Sequence, residues 1–190
     1  MCKIEDILCK GANQKIVKLR AMNDAMEIIL QDSRLRIAEL EHKWAITPQG
    51  PPPYIPFIIK DAGWVWTELV RAKNSYMGDG AIINPLLDSS YKILTPEAFL
   101  KMAKWLWVDQ MEYISEFFDC DDFADVFIGM AIKYYEVRVT RVYDWSGGHA
   151  YNMPMLTTGA RIWEPQQSGG FVSWENRGSM YELTDSEIQI

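Results

Sequence analysis

The sequence predicts an α+β fold in which a helical N-terminal half packs on a small antiparallel sheet. Up to about Tyr134, the apolar residues recur at the three- and four-residue spacing of amphipathic helices. Beyond it, short apolar stretches resemble strands, and Gly147-Gly148, Thr158-Gly159 and Ser168-Gly169-Gly170 supply turns between them. Helices followed by an antiparallel meander are typical of this fold class.

The first predicted helix runs from about residue 13 to 45, where Leu19, Met22, Met26 and Ile29 share one face. The same seam then meets polar residues, so a sustained coiled coil is not indicated. The helix could pack on the core of its own domain, form a homo-oligomer, or tether the chain to a larger assembly.

The domain organisation follows from a proline-rich stretch. Residues 1–46 form an N-terminal amphipathic helical region, 47–58 a stiff linker containing Pro51-Pro52-Pro53, and 59–190 the folded domain. A proline-rich ligand for a partner is the alternative interpretation of the linker.

Three further helices are predicted, over 61–73, 95–117 and 120–134. The second has the clearest start, because Thr95 can cap it and Pro96 suits its first position. Predicted strands follow at 137–143, 150–156, 160–163 and 171–174. The polar tail from Thr184 to Ile190 is expected to be poorly tied down.

The composition restricts the function. A net charge of −7 argues against nucleic-acid binding as the main task. No apolar run is long enough for a membrane helix, and the first residues lack a signal peptide, so we expect a cytoplasmic protein without membrane contact. Three cysteines and two histidines at scattered positions give little support for a zinc site.

Cys120, His149 and Glu164 are the predicted catalytic residues. Cys120 begins a predicted helix, whose N-terminus favours a thiolate, and His149 follows a glycine pair at the start of a strand. Glu164 could orient the imidazole, and Asp144 is the alternative. The order of thiol, imidazole and carboxylate is that of thiol hydrolases.

An oxyanion in such a site needs preset N–H donors. The Cys120 backbone N–H is one candidate. The Gln166 side-chain amide is the predicted second donor, with Gln110 as the alternative.

Acidic residues surround Cys120. Asp119, Asp121 and Asp122 are candidate Ca²⁺ ligands, although acids also favour a helix N-terminus without any metal. No cofactor is expected to be required. The same negative charges disfavour a thiolate at Cys120.

The motifs Cys120-Asp121-Asp122-Phe123-Ala124, Gly148-His149-Ala150-Tyr151-Asn152 and Glu164-Pro165-Gln166 resemble the papain-like and transglutaminase-like cysteine proteases. Among them, the protease domain of fungal chimeric agglutinins looks most similar. The resemblance implies a papain-like fold over 59–190, a triad of Cys120, His149 and Glu164, and support by calcium. It implies no lectin activity, because the sugar-binding trefoil domain of those agglutinins has no counterpart here.

The predicted function is a cysteine peptidase or amidase that acts on a protein or peptide substrate through an acyl-enzyme. The alternative is a catalytically silent papain-like module with a binding or structural role in a phage or another assembly. A calcium-dependent binding domain is a third interpretation. Stand-alone proteins with such motifs look typical of bacteria and their phages.

Overall fold

The computed structural model of the protein describes residue 20 and residues 50–115, 118–167, 169–175 and 177–190. The chain divides into two compact units, Met1–Thr47 and Pro48–Ile190. Of the first unit only Arg20 is described, and it is helical. The rest of the predicted N-terminal helix therefore lies outside the described residues. Its suggested role in a homo-oligomer and the predicted domain boundaries stay predictions.

The α-helices of the second unit are α1 (Ala62–Tyr76), α2 (Pro96–Leu106) and α3 (Cys120–Tyr135). Short 3-10 turns lie at Val108–Gln110 and Ser179–Tyr181. Local caps explain where α1 and α2 begin. The Asp61 carboxylate accepts the Trp64 N–H at 2.7 Å, and the Thr95 hydroxyl accepts the Ala98 N–H at 3.2 Å.

Helix α2 is shorter than the predicted 95–117 because Trp107 ends it. Trp107 has a φ of 60°, and its N–H donates to the Ala103 carbonyl in a left-handed C-cap. This conformation is usually taken by glycine, and it is uncommon for a bulky side chain. The apolar pattern continues past Trp107, so it gave no sign of the end.

The strands are short. They are β1 (Ile58–Asp61), β2 (Ile82–Ile83), β3 (Ser90–Ile93), β4 (Thr140–Asp144), β5 (His149–Met153), β6 (Met155–Leu156), β7 (Gly159–Ala160), β8 (Ile162–Trp163), β9 (Phe171–Val172) and β10 (Ser186–Gln189). Six form one sheet in the order β2-β10-β4-β5-β8-β9. Strands β1 and β3 pair separately, as do β6 and β7.

The predicted fold class is wrong. The main sheet is mixed rather than antiparallel, because β10 runs parallel to β2 and antiparallel to β4. Strands β1, β2 and β3 also lie in the half that was predicted to be helical. The described residues therefore do not form a papain-like arrangement of a helical half on a small antiparallel sheet.

The C-terminal tail is the clearest error of the sequence analysis. Residues Ser186–Gln189 form β10, which lies inside the main sheet. Ser186 and Ile188 are buried, whereas Glu187 and Gln189 are partly exposed, so the strand has the two-residue alternation of a half-buried sheet. Four residues were too few to reveal that period among the polar residues around them.

The core lies on both faces of the main sheet. On one face, Val65 and Leu69 of α1 pack with Tyr151 and Ile162. On the other, α2 and α3 pack with Trp163. Side chains alternate between the faces of a strand, so Ile162 and Trp163 of β8 belong to different clusters. This alternation also decides which side chains can reach the site described next.

Candidate functional site

Cys120 is the first residue of α3 and is half-buried. Asp119 precedes the helix as its N-cap residue, and its backbone N–H donates to the Asp122 carboxylate at 3.2 Å. This contact satisfies an N–H that the first turn of a helix leaves without a partner. Asp122 therefore has a structural task at the helix start.

His149 begins β5, directly opposite Asp144 of β4. The turn before it is held by Asp144, whose carboxylate accepts the Ser146 hydroxyl at 2.6 Å and the Gly147 N–H at 3.0 Å. The same carboxylate accepts the Leu183 N–H at 2.9 Å. Asp144, the alternative orienting residue, thus fixes the turn and the C-terminal segment.

His149 and Glu164 form a buried pair. The His149 Nε2 lies 2.6 Å from the Glu164 Oε2, with side-chain exposures of 6% and 2%. Glu164 also accepts the Tyr181 hydroxyl at 2.9 Å and the Gln166 backbone N–H at 3.2 Å. Several donors converge on one carboxylate, which is what a buried charge requires.

The two candidate side-chain oxyanion donors differ in their surroundings. The Gln166 Nε2 is buried without a hydrogen-bond partner among the described residues. Gln110 is exposed and donates its side-chain amide to Asp109 at 3.1 Å. No comparison or contact tests the catalytic roles assigned to Cys120, His149, Glu164 and Gln166, and these stay predictions.

Cys120 and His149 line one cleft of about 710 Å³, between the start of α3 and the β4–β5 turn. The Ala150 N–H donates to the Cys120 thiol, which brings the sulfur beside β5. The other lining residues are mainly acidic, aromatic or glycine: Asp119, Asp121, Tyr143, Asp144, Trp145, Gly148, Ala150 and Glu187. The structure thus brings together side chains that are far apart in the sequence.

The electrostatics of the cleft oppose a thiolate. Burial raises the pKa of the Cys120 thiol, and the nearby Asp119 and Asp121 carboxylates raise it further, against the hydrogen bonds from backbone N–H groups. The pKa of Asp119 is itself raised, chiefly by its hydrogen bond with the Asp121 side chain. These surroundings therefore favour the neutral thiol of Cys120 over its thiolate.

Asp119, Cys120 and Asp121 each place a ligand atom within 4.8 Å of the others. Ca²⁺ prefers six to eight oxygen ligands, whereas this cluster offers two carboxylates and a thiol. Asp122 is occupied in the helix cap. Calcium at this place stays a prediction, and a shift in Tm between added Ca²⁺ and chelator would test it.

Trp145 is a feature of the cleft that sequence reasoning missed. Its side chain is 61% exposed and stacks on Tyr143, with ring centroids 5.3 Å apart and an interplanar angle of 12°. The Arg141 guanidinium lies 4.5 Å from the Tyr143 ring centre. A tryptophan next to a Ser-Gly-Gly turn was the available signal, because such a position leaves a large ring exposed at the tip of a hairpin.

Comparisons with known proteins give matches in structure only, since no known family and no curated protein matches the sequence. One similar solved structure is a complex of PSL1a with E64, with 21% identity and a TM-score of 0.48 over 69% of this chain and 48% of that one. Another is Polyporus squamosus lectin bound to the human-type influenza-binding epitope Neu5Acα2-6Galβ1-4GlcNAc. It has 24% identity and a TM-score of 0.47, over 61% of this chain and 45% of that one.

The resemblance to cysteine proteases is corrected: the described strands and helices do not form the expected papain-like arrangement, and the similar structures are described as PSL1a and as Polyporus squamosus lectin. The predicted function, a thiol hydrolase, is corrected with it. The chain spans about half the length of these lectin chains. With TM-scores below 0.5, the likeness carries no argument about what this chain binds.

Among the described helices, none combines the length and apolar character that a membrane crossing requires.

Proposed function

We propose that the Pro48–Ile190 unit is a non-catalytic binding module whose cleft binds a neutral carbohydrate. The observation that carries this proposal is the exposed Trp145, which is stacked on Tyr143 in a cleft that Asp121 and Glu187 also line. An aromatic platform next to hydrogen-bond acceptors is complementary to a sugar ring. Sugars have one face of C–H groups and an edge of hydroxyl groups.

The platform suits the apolar face of a sugar. Trp145 presents a large surface to the cleft, and its contact with Tyr143 restrains the indole before any ligand arrives. Aromatic side chains combine a large contact area with few rotatable bonds, so ordering them on binding costs little conformational entropy.

The carboxylates suit the hydroxyl edge and disfavour acidic ligands. Asp121 is partly exposed at the cleft, and Glu187 lines it from β10. Ionised carboxylates accept hydrogen bonds from hydroxyl donors. They repel a carboxylate on the ligand, and the net charge of −7 adds to this repulsion.

The state of Cys120 supports binding without covalent chemistry. A thiol attacks a carbonyl as its thiolate, and the surroundings of Cys120 raise its pKa. The proposal therefore departs from both sequence-based expectations, namely a peptide substrate and the lack of lectin activity. It agrees with the alternative function predicted from the sequence, a catalytically silent module with a binding role.

The experiment is a glycan titration followed by NMR or calorimetry, with neutral galactose- and N-acetylglucosamine-terminated oligosaccharides and with their sialylated forms. We expect saturable binding of a neutral glycan and weaker binding of its sialylated form. Trp145→Ala should weaken binding about 5- to 30-fold, which corresponds to roughly 1–2 kcal/mol. Trp66→Ala is the matched control, because Trp66 is also exposed but lies on α1, outside the cleft.

Lack of saturable binding by any neutral glycan would overturn the proposal. Equal losses in Trp145→Ala and Trp66→Ala would also count against it, because the binding would then not depend on the cleft.

A further inference from the structure

Strand β1 has an open edge. It pairs antiparallel with β3 in a two-stranded sheet, so the backbone groups of its other edge have no strand partner among the described residues. The side chains along it are exposed and largely apolar, with exposed fractions of 44% for Phe57, 46% for Ile58 and 58% for Ile59. An exposed apolar edge of this kind is a template for pairing with another strand.

The register of the β1–β3 pair shows which residue faces this edge. The Ala62 N–H donates to the Ser89 carbonyl at 3.1 Å, and these two residues continue the β1–β3 register. Pairs that exchange hydrogen bonds alternate with pairs that do not, so every second residue before Ala62 bonds β3. Ile59 falls between those residues and points its N–H and its C=O away from β3, to the open edge.

The charged side chains of the strand are engaged at the start of α1. The Lys60 ammonium lies 5.3 Å from the centroid of the Trp64 ring, and the Asp61 carboxylate accepts the Trp64 N–H at 2.7 Å. Free charges, lysine above all, are a common protection of an edge strand against pairing. A second strand can therefore approach Ile59 without meeting a free charge of β1.

The edge is complementary to a second copy of itself. Two copies that pair antiparallel about a two-fold axis place one residue opposite its own copy, and the residues on either side pair with each other. With Ile59 on the axis, the two Ile59 residues exchange two N–H to C=O hydrogen bonds, and Ile58 lies opposite Lys60. An axis at Lys60 would instead oppose two ammonium groups. An axis at Ile58 would oppose Asp61 to Ile55, which is buried and so out of reach of a second strand.

From these observations we infer that the open edge of β1 docks a second copy of this chain. The two β1 strands lie antiparallel with Ile59 on the two-fold axis, and they join two β1–β3 pairs into one four-stranded sheet. The pairing is closed, because each copy uses its only β1 edge. Four residues make a small contact, so the dimer is weak and depends on protein concentration. The edge is separate from the cleft, since none of the residues that line the cleft belongs to β1.

The test is sedimentation equilibrium of the full chain between about 10 μM and about 1 mM, where weak complexes dissociate. We expect the average mass to rise with concentration. Amide hydrogen exchange gives a local readout at the same concentrations. The Ile59 amide should exchange more slowly as the concentration rises, because its N–H is then bonded to the second copy.

Two charge variants test the position of the axis. Ile59→Lys and Ile59→Glu each place two like charges opposite one another, so each variant alone should dimerise about tenfold more weakly or worse. An equimolar mixture opposes a lysine to a glutamate and should restore the dimer, which also shows that both variants fold. A general charge effect would differ, because one variant reduces the net charge of −7 and the other increases it.

Ile82→Lys is the matched control. Ile82 is 60% exposed on β2, which lies at one end of the main sheet, so this variant should dimerise like the original protein. A chain that stays monomeric up to about 1 mM would overturn the proposal. Undiminished dimers of both Ile59 variants, a mixture that is not restored, or an equal loss in Ile82→Lys would overturn it as well.

Discussion

At the scale of single residues, the His149–Glu164–Tyr181 cluster shows how the interior accommodates polar groups. Glu164 is almost wholly buried, yet its carboxylate receives His149, the Tyr181 hydroxyl and the Gln166 backbone N–H. A buried carboxylate is tolerated when its oxygens are satisfied in this way. These hydrogen bonds fix β5 to the loop after β8 and to the C-terminal segment, which together position the cleft.

The tyrosine of this cluster makes stability dependent on pH. Burial, and then the Glu164 charge and hydrogen bond, raise the pKa of Tyr181. In the unfolded chain a tyrosine ionises near pH 10. Above that pH the unfolded state loses a proton that the folded state keeps, so the contribution of Tyr181 to stability is present below pH 10 and is lost as the pH rises.

Tyr181→Phe should therefore reduce the alkaline loss of stability. At pH 8 the variant should be less stable than the original protein by about 1 kcal/mol, because a hydrogen bond to a charged group is lost. By pH 11 the difference should shrink by about 1 kcal/mol, since the variant has no hydroxyl to ionise. Urea denaturation between pH 8 and 11 measures both values.

Tyr113→Phe provides the control, because Tyr113 is 53% exposed. If the stability of Tyr113→Phe and that of Tyr181→Phe fall equally as the pH rises, the raised pKa of Tyr181 makes no contribution to stability.

At the scale of the elements, β10 ties the C-terminal segment into the sheet. It pairs with both β2 and β4, and Ile188 is fully buried in the cluster beneath α1. Glu187 on the opposite face lines the cleft. The last strand therefore contributes both to the core and to the proposed binding site.

Ile188→Ala should destabilise the protein by about 2–5 kcal/mol, because it leaves a cavity in the core. Ile132→Ala on α3 is the matched control, since Ile132 is 36% exposed, and it should cost about 1 kcal/mol or less. Denaturant unfolding of both variants compares the two losses. Similar losses would contradict the placement of β10 inside the sheet.

The sequence predicted the elements that have strong local signals. Helices α1 and α3 and the start of α2 follow from caps and from apolar spacing, as at Thr95 and Pro96. It failed for β2 and β10, because two- and four-residue strands show almost no period. It also failed at Trp107, where a bulky residue takes the conformation that normally indicates glycine.

The candidate site, like the fold, is predictable from the sequence only in part. The order of Cys120, His149 and Glu164, and the elements predicted for them, identified residues that the fold does bring to one region. The exposed stack of Trp145 on Tyr143 depends on a turn geometry that one sequence does not display. The neighbouring acids predict a raised pKa for the Cys120 thiol. The burial of this thiol, which is the largest cause of the shift, depends on the fold.

At the scale of the whole molecule, two cavities among the described residues differ in character. Glu164 supports the acidic cleft through its contact with His149, whereas the neighbouring Trp163 lines a cavity with aromatic walls. The cleft has carboxylates and an exposed indole, and the second cavity has a lysine at its edge.

The negative charge of the cleft also controls its thiol. Asp121 is one of the groups that raise the pKa of Cys120, so Asp121→Asn should lower that pKa and speed alkylation near neutral pH by a few-fold. Asp185→Asn is a control, since Asp185 is exposed and does not line the cleft. An equal effect of both substitutions would mean that only the overall charge matters.

The central claim is that this cleft binds a ligand without thiol chemistry, and the pH dependence of Cys120 alkylation tests it most directly. Iodoacetamide labelling between pH 6 and 10, followed by mass spectrometry of the peptides, gives the rate at Cys120, with the same protein in denaturant as reference. We expect slow labelling at neutral pH and a midpoint above the value of about 8.5 for a free thiol. Rapid labelling at pH 6 to 7, abolished by His149→Ala, would reveal a thiolate paired with an imidazolium and would contradict the account.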